Sequence, residues 1–291
     1  MIKTSNVDYK QFLNIQKPEV AYLLGLLWAD GHVSSSKNEL LLVTTYPDSI
    51  EFYRQFKKCG KWNFYKYNNK NKKLKPRVTI HASDKIIHDF LIENDYGAKG
   101  YKSADKILSK IPDHLKHYWF RGLVDGDGTI KKYKGYQVSI DSSYKQNWTY
   151  LVRLSESMNW EYNIYRYEPP KHKYTGSRFS FYKGEYVIPF LDYIYQNYDS
   201  DKIGLSRKHS AYVKSKKRFT RKKYYIGIAF SKSDQIWLAY ESELTQDTSK
   251  KRLFRFKSKQ EAINYITNIY DSNVWPIPYD KIILKHNELN K

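Results

Sequence analysis

The segment Leu23-Leu-Gly-Leu-Leu-Trp-Ala-Asp-Gly31 recurs in altered form as Phe120-Arg-Gly-Leu-Val-Asp-Gly-Asp-Gly128, each copy an apolar run closed by an acid and a glycine. The closing acids, Asp30 and Asp127, stand 97 residues apart, the length of one small repeat, so the chain reads as an internal duplication. A duplicated chain of this kind folds about a pseudo-two-fold axis and supplies one carboxylate from each half.

Read as helices, Gly25 and Ala29 fall four residues apart on one face of the first copy, and Gly122 and Gly126 do the same in the second. Small residues at that spacing leave a flat stripe, and two flat stripes let helix backbones approach closely. Leu23, Leu26, Leu27, Phe120, Leu123 and Val124 then fill the core around the contact. Gly31 and Gly128 suit the left-handed position that closes a helix, which puts Asp30 and Asp127 at the C-terminal tips of the paired helices. There each acid faces the negative end of a dipole and repels the other, an arrangement that a divalent cation relieves. The carbonyls of Ala29 and Gly126, at helix ends without intrahelical partners, are candidate further metal ligands.

One apolar run ending in Asp-Gly is ordinary turn chemistry, but two copies favour a built site. The stretch from Asp125 to Ile130 also invites comparison with a calcium loop. With Gly128 as the loop's sixth residue, positions one and twelve fall on Leu123 and Lys134, which carry no carboxylate.

The two segments resemble the paired motifs of LAGLIDADG homing endonucleases, in the single-chain form that carries both. The run from Lys110 to Ile130, with Pro112 in its approach, resembles the family's second-motif helix, and the likeness extends over roughly residues 15 to 217. The resemblance implies a site-specific double-strand DNA endonuclease of a mobile genetic element. It implies a monomer using Mg²⁺ (or Mn²⁺) on a long, non-palindromic duplex target. Asp30 and Asp127 match the last acid of each motif and become the implied catalytic and metal-holding residues. The tracts Lys99-Gly-Tyr-Lys-Ser103 and Leu205-Ser-Arg-Lys-His209 lie where such proteins carry a basic residue closing each half. Lys102 and Lys208 are thereby the implied catalytic lysines, with Arg207 as substitute. One departure is visible: Trp28 stands in place of the first motif's earlier acid, which the second retains as Asp125. The alternative on the same scaffold is an RNA maturase or a DNA-binding regulator without cleavage, and retention of both acids favours the enzyme.

Charge agrees with a nucleic-acid partner. Lys and Arg number 51 against 30 Asp and Glu, a net +21 on 291 residues, and phosphate binding through counterion release accounts for such an excess better than solubility does. Residues 56–77 hold nine basic side chains and no acid, interleaved with Trp62, Phe64, Tyr65 and Tyr67, and residues 205–224 again hold nine and none. Lys66, Lys75, Arg77, Lys131, Lys132, Arg178 and Arg207 are the expected nucleic-acid contacts. The single Cys59 excludes an internal disulfide and any multi-cysteine zinc site. The eight histidines lack metalloprotease spacing, and His32, directly after the first Asp-Gly, is the one placed to face a scissile bond, with Thr129 at the matching position. The longest apolar run, Ala21 to Ala29, is under half a membrane span, and the N-terminus is polar. The expectation is an intracellular protein of the cytoplasm, nucleoid or an organelle matrix, without a membrane partner.

Hydrophobic alternation predicts the same element order in both halves. The first has a hairpin over 32–36 and 39–45, a helix over 48–58, a hairpin over 62–67 and 77–81, and a helix over 83–94 capped by Ser83. The second has strands over 129–132 and 136–141, a helix over 145–158, strands over 160–167 and 178–182, and a helix over 186–198. The expected fold is α+β: duplicated αββαββα domains, residues 1–103 and 104–217, whose two antiparallel sheets form a saddle with a polar face free for DNA. Beyond a basic linker, residues 218–291 read as a small C-terminal βββα domain, with strands near 225–229, 236–241 and 252–257 and a helix near 258–270. Ile226-Gly-Ile228, Trp237, Phe256 and Glu261-Ala262 give it a likeness to AP2-like DNA-binding modules, and Pro276 and Pro278 then break the chain.

Overall fold

The computed structural model describes residues 8–34, 37–45, 47–67, 76–131, 136–169, 175–220, 224–231, 235–243 and 252–269. Residues 1–216 form one compact unit and residues 217–291 another. The chain runs α1 (Tyr9–Phe12), α2 (Pro18–Asp30), β1 (Gly31–Val33), β2 (Glu39–Thr45), α3 (Asp48–Phe56), β3 (Asn63–Tyr67), β4 (Arg77–Ser83), α4 (Lys85–Glu93) and α5 (Asp105–Leu108). It continues with α6 (Lys116–Asp127), β5 (Gly128–Ile130), β6 (Val138–Ser142), α7 (Thr149–Ser157), β7 (Asn163–Tyr167), β8 (Gly176–Phe181), α8 (Gly184–Tyr195), α9 (Tyr198–Asp201) and α10 (Ser206–Thr220). The two four-stranded antiparallel sheets share one order, β1-β2-β4-β3 and β5-β6-β8-β7, and one register, Gly31 pairing with Leu42 as Gly128 does with Ile140. This is the duplicated αββαββα architecture that the repeated motif implies.

Pro18 starts α2 at a position where a missing N–H costs nothing. From Val20 to Trp28 this helix is buried on every side, and so is α6 from His117 to Asp125, the burial of central rather than surface helices. They cross where the small residues meet. A Cβ on Gly25 would lie 1.9 Å from the carbonyl oxygen of Trp119, and one on Gly122 would lie 2.1 Å from that of Tyr22. Backbone therefore rests on backbone. Leu23, Leu26, Leu27, Phe120, Leu123 and Val124 surround the contact, none more than 3% exposed, and each such burial contributes roughly 1.5–3 kcal/mol.

The crossing is not symmetric in chemistry. Positions 22 and 28 of α2 correspond to positions 119 and 125 of α6. Tyr22 donates its hydroxyl to Asp125 Oδ2 at 3.0 Å, whereas in the equivalent pair Trp119 packs against Trp28 with ring centroids 6.2 Å apart. Asp125 is completed by the Tyr195 hydroxyl at 3.0 Å and the Leu205 N–H at 2.8 Å. Next to it, fully buried Arg121 donates to the carbonyls of Ile194, Gln196 and Ile203 and pairs with Asp201, tying α6 to the end of α8 and the chain after it.

Three local expectations are corrected. Gly31 and Gly128 are extended, with φ −72° and −82° and ψ 150° in both, rather than left-handed. Each helix runs straight into a strand, and the residue must be glycine because a Cβ would lie 2.4 Å from the Leu27 carbonyl oxygen or 2.5 Å from that of Val124. Asp84, not Ser83, caps α4: its carboxylate accepts the Ile87 N–H at 2.9 Å, while Ser83 is the last residue of β4 and pairs with Glu39. Helix α7 begins at Thr149 rather than Lys145, because the Gln146 N–H is held by Ser177 Oγ at 3.0 Å. Expectations for residues 35–36, 132, 221–223, 276 and 278 lie outside the described residues.

In the second unit, β9 (Tyr224–Ser231), β10 (Ile236–Glu243) and β11 (Arg252–Phe256) form an antiparallel sheet in the order β11-β10-β9, followed by α11 (Lys259–Ile269). Helix α11 opens with a capping box. Ser258 Oγ accepts the Glu261 N–H at 3.1 Å, and the Glu261 carboxylate accepts the Ser258 N–H at 3.2 Å.

The crossing is directly testable. Gly25→Ala forces backbone apart from backbone and is expected to cost about 1–3 kcal/mol or more. Gly97→Ala meets only the flexible Ile92 Cδ1, at 3.0 Å, and is expected to stay within about 1 kcal/mol of the parent. Thermal melts followed by circular dichroism compare the two.

Candidate active site at the paired helix tips

Because α2 and α6 pack backbone to backbone, their C-terminal tips emerge together. A Cβ on Gly126 would lie 2.4 Å from Ala29 Cβ and 3.3 Å from Asp30 Oδ2, so the Asp30 carboxylate overhangs the last turn of the opposite helix. Burial raises the pKa of Asp30. Burial, and then the charge of Asp30, pushes Asp127 up to about 7. The acids foreseen from the repeat are thus brought together, at a site that disfavours their ionisation.

Each helix tip is held by one lysine from its own half. Lys99 Nζ donates to the carbonyls of Leu27 and Ala29 at 3.1 and 2.6 Å. Lys208 Nζ donates to those of Val124, Asp125 and Gly128 at 2.5, 2.7 and 2.8 Å. These ammoniums occupy the negative ends of the helix dipoles, where a cation is favoured. Burial lowers both to about 8, against the opposing pull of the nearby acids.

Of the two lysines expected, Lys208 lies at its helix tip and Lys102 does not; in the first half that place is taken by Lys99. Lys102 is exposed, and Gln146 Nε2 contacts its carbonyl, not its ammonium. The missed signal is an offset from the last buried side chain: Lys99 stands three residues after buried Tyr96, as Lys208 does after buried Leu205. Of the carbonyls proposed as metal ligands, that of Ala29 already accepts from Lys99, while Gly126 lies at the equivalent place beneath Asp30.

The expected nucleic-acid contacts separate by position. Arg77 lies across from Tyr67 and Arg178 across from Tyr165, on the sheet faces turned away from the helices, and Lys131 is exposed just after β5. Lys66 pairs with Val78 and so falls on the helix-packed face, at the sheet edge. Arg207 is bound to both carboxylate oxygens of Asp48, at 2.8 and 2.7 Å, and links the two halves. Lys75 and Lys132 lie outside the described residues. His32 and Thr129 are both exposed on the strands that leave the two motifs.

Among the described residues no group of three or more His, Cys, Asp and Glu stands ready to enclose a metal. Two hard carboxylates that repel each other still fit a Mg²⁺-like ion, which commonly takes one or two protein carboxylates and completes its shell with water and phosphate oxygens. Asp30 and Asp127 would hold such an ion.

The chain matches no family model and no curated protein. Among solved structures it is similar to the homing endonuclease I-WcaI bound to its DNA recognition sequence, with 14% identity over 70% of this chain and 89% of that one, TM-score 0.47. It is similar to the N-terminal LAGLIDADG domain of DUF199/WhiA, with 13% identity over 69% of this chain and 92% of that one, TM-score 0.43. A third likeness is to mesophilic variants of the homing endonuclease I-DmoI, with 14% identity over 63% of this chain and 97% of that one, TM-score 0.42.

The acid pair carries a signed pH dependence. Asp127 titrates near 7 in the fold but near 3.9 in an unfolded chain, so its ionisation in the fold erodes stability as pH rises from about 4 to 7. In a chelator, Asp127→Asn is expected to melt higher than the parent at pH 8, with the difference shrinking toward pH 4. Mg²⁺ is expected to raise the melting temperature of the parent and leave that of the variant unmoved; melts with and without the ion read both effects.

Proposed function

We propose that this protein is a site-specific, divalent-metal-dependent DNA endonuclease of the LAGLIDADG type that cuts both strands of its target. The observation that supports this reading best is the convergence of Asp30 and Asp127, one from each half, beside the buried ammoniums of Lys99 and Lys208. Two buried acids at the negative ends of two dipoles weaken a fold, and catalysis on a phosphodiester gives them a use. Bound Mg²⁺ or Mn²⁺ would activate water and stabilise the leaving 3′ oxygen.

In this reading Asp30 and Asp127 hold the metal, each half serving one strand. Lys99 and Lys208 place positive charge beside the phosphates; Lys99, with two of its three N–H donors committed to carbonyls and its pKa lowered by burial to about 8, can exchange a proton with water near neutral pH, whereas all three donors of Lys208 are committed. Arg77, Lys131 and Arg178 meet the duplex from the open sheet faces, and the net charge of +21 draws it in. One chain carries both acids, so a monomer suffices.

Cleavage of a random-sequence plasmid library in Mg²⁺ tests the proposal. The parent is expected to leave double-strand breaks at related sequences. Asp30→Asn and Asp127→Asn should each abolish those breaks while retaining duplex binding. Lys99→Met should slow cleavage by roughly a hundredfold, in the range of a lost proton-transfer group, and Lys102→Met should not. Undiminished breaks by either Asn variant overturn the site; sequence-selective binding by a parent that never cuts overturns the enzyme and leaves a regulator.

A further inference from the structure

The register of the two sheets places a second repeat on the surface that faces away from the helices. Strand β3 reads Asn63-Phe-Tyr-Lys-Tyr67 and β7 reads Asn163-Ile-Tyr-Arg-Tyr167. The two are equivalent by pairing, Phe64 lying opposite Ile80 as Ile164 lies opposite Phe179. Side chains alternate across a strand, so Asn, Tyr and Tyr share the open face in both halves. Tyr65, Tyr67 and Tyr165 are 39%, 56% and 56% exposed. Each strand is also the edge of its sheet, three strands removed from the one that leaves the acid-bearing helix.

The inner strands do not repeat. The positions held by Val43 and Thr79 in the first half are held by Asp141 and Arg178 in the second. Arg178 Nε donates to Asp141 Oδ1 at 2.7 Å, and its guanidinium lies 5.8 Å from the Tyr167 ring centroid. The side chains of Arg178 and Asp141 remain 36% and 42% exposed. The carboxylate and the ring hold the guanidinium in place, and its partial exposure leaves it open to a further acceptor. A guanidinium so fixed suits the O6 and N7 acceptors of guanine, whereas the methyl groups of Val43 and Thr79 suit the 5-methyl group of thymine.

Resting on the endonuclease reading, we propose that the DNA target is an inverted repeat only in its flanks. The Asn-Tyr-Tyr faces of β3 and β7 read the same bases on opposite strands. Nearer the cleavage position the halves diverge: Arg178, buttressed by Asp141, reads a guanine in the second half-site, and Val43 with Thr79 reads an A·T pair at the mirrored position. The shared edge strands and the unlike inner strands thus give the target a partial symmetry that neither a palindrome nor an unrelated pair of half-sites would have.

Repeated selection of duplexes from a random pool by the full chain in Ca²⁺, followed by sequencing, reads this directly. The expected sites carry matching inverted flanks and one unmatched guanine, preferred over adenine by roughly 10- to 100-fold, the range of one bidentate contact. Arg178→Lys keeps the charge and loses the fork, so it should bind with similar salt dependence and lose that one preference. The paired change Val43→Asp with Thr79→Arg should bring a guanine into the first half-site. Selected sites without inverted flanks, or an unchanged guanine preference in Arg178→Lys, overturn this inference alone. A pool in which no sequence rises above non-specific binding overturns the endonuclease reading itself.

Discussion

The contact of Gly25 with the Trp119 backbone, and of Gly122 with the Tyr22 backbone, is the closest approach between the two halves at the helix crossing, and the site at the helix tips depends on it. Helices separated by ordinary side chains lie about 8–10 Å apart. Here the missing Cβ atoms let the backbones meet, and only then does the Asp30 carboxylate overhang the last turn of the helix that carries Asp127. The sheets hang from the same crossing, because β1 and β5 leave the helices without an intervening loop. Their faces inherit the pseudo-dyad from the helix pair.

That proximity has an electrostatic cost, and the neighbouring residues answer it. Asp30 and Asp127 are disfavoured by burial and, for Asp127, by each other. Lys99 and Lys208 oppose that effect while capping carbonyls that the helix ends leave unpaired. Asp125, two residues earlier in the same motif, is a different kind of acid. Three donors hold it inside the core, where it ties α6 to α2, to α8 and to the chain before α10.

Much of this was legible in the sequence because it was written twice. The duplication exposed the paired helices, their small-residue stripe and the closing acids, and the alternation of the strands placed both sheets within a few residues. What escaped depended on neighbours distant in sequence. Gly31 looked like a helix terminator, but its need for glycine comes from the Leu27 carbonyl above it rather than from a left-handed turn. Lys99 and Lys102 are alike in composition, and only the burial of Tyr96 decides which one turns inward. The Asn-Tyr-Tyr repeat of β3 and β7 was in plain view but had no meaning until pairing put both strands at equivalent edges.

The unlike pairs at the helix crossing have a consequence for the duplication itself. A dimer of two first halves would set Tyr22 against Trp28 on both sides of the axis, leaving each hydroxyl without its carboxylate. A dimer of two second halves would set Trp119 against Asp125 and bury two acids, each deprived of the Tyr22 donor, a costly change for a charge already out of water. Neither half carries a surface that fits a second copy of itself. The duplication is in this sense one-way: the interface needs one half of each kind, and a single chain supplies them in that ratio.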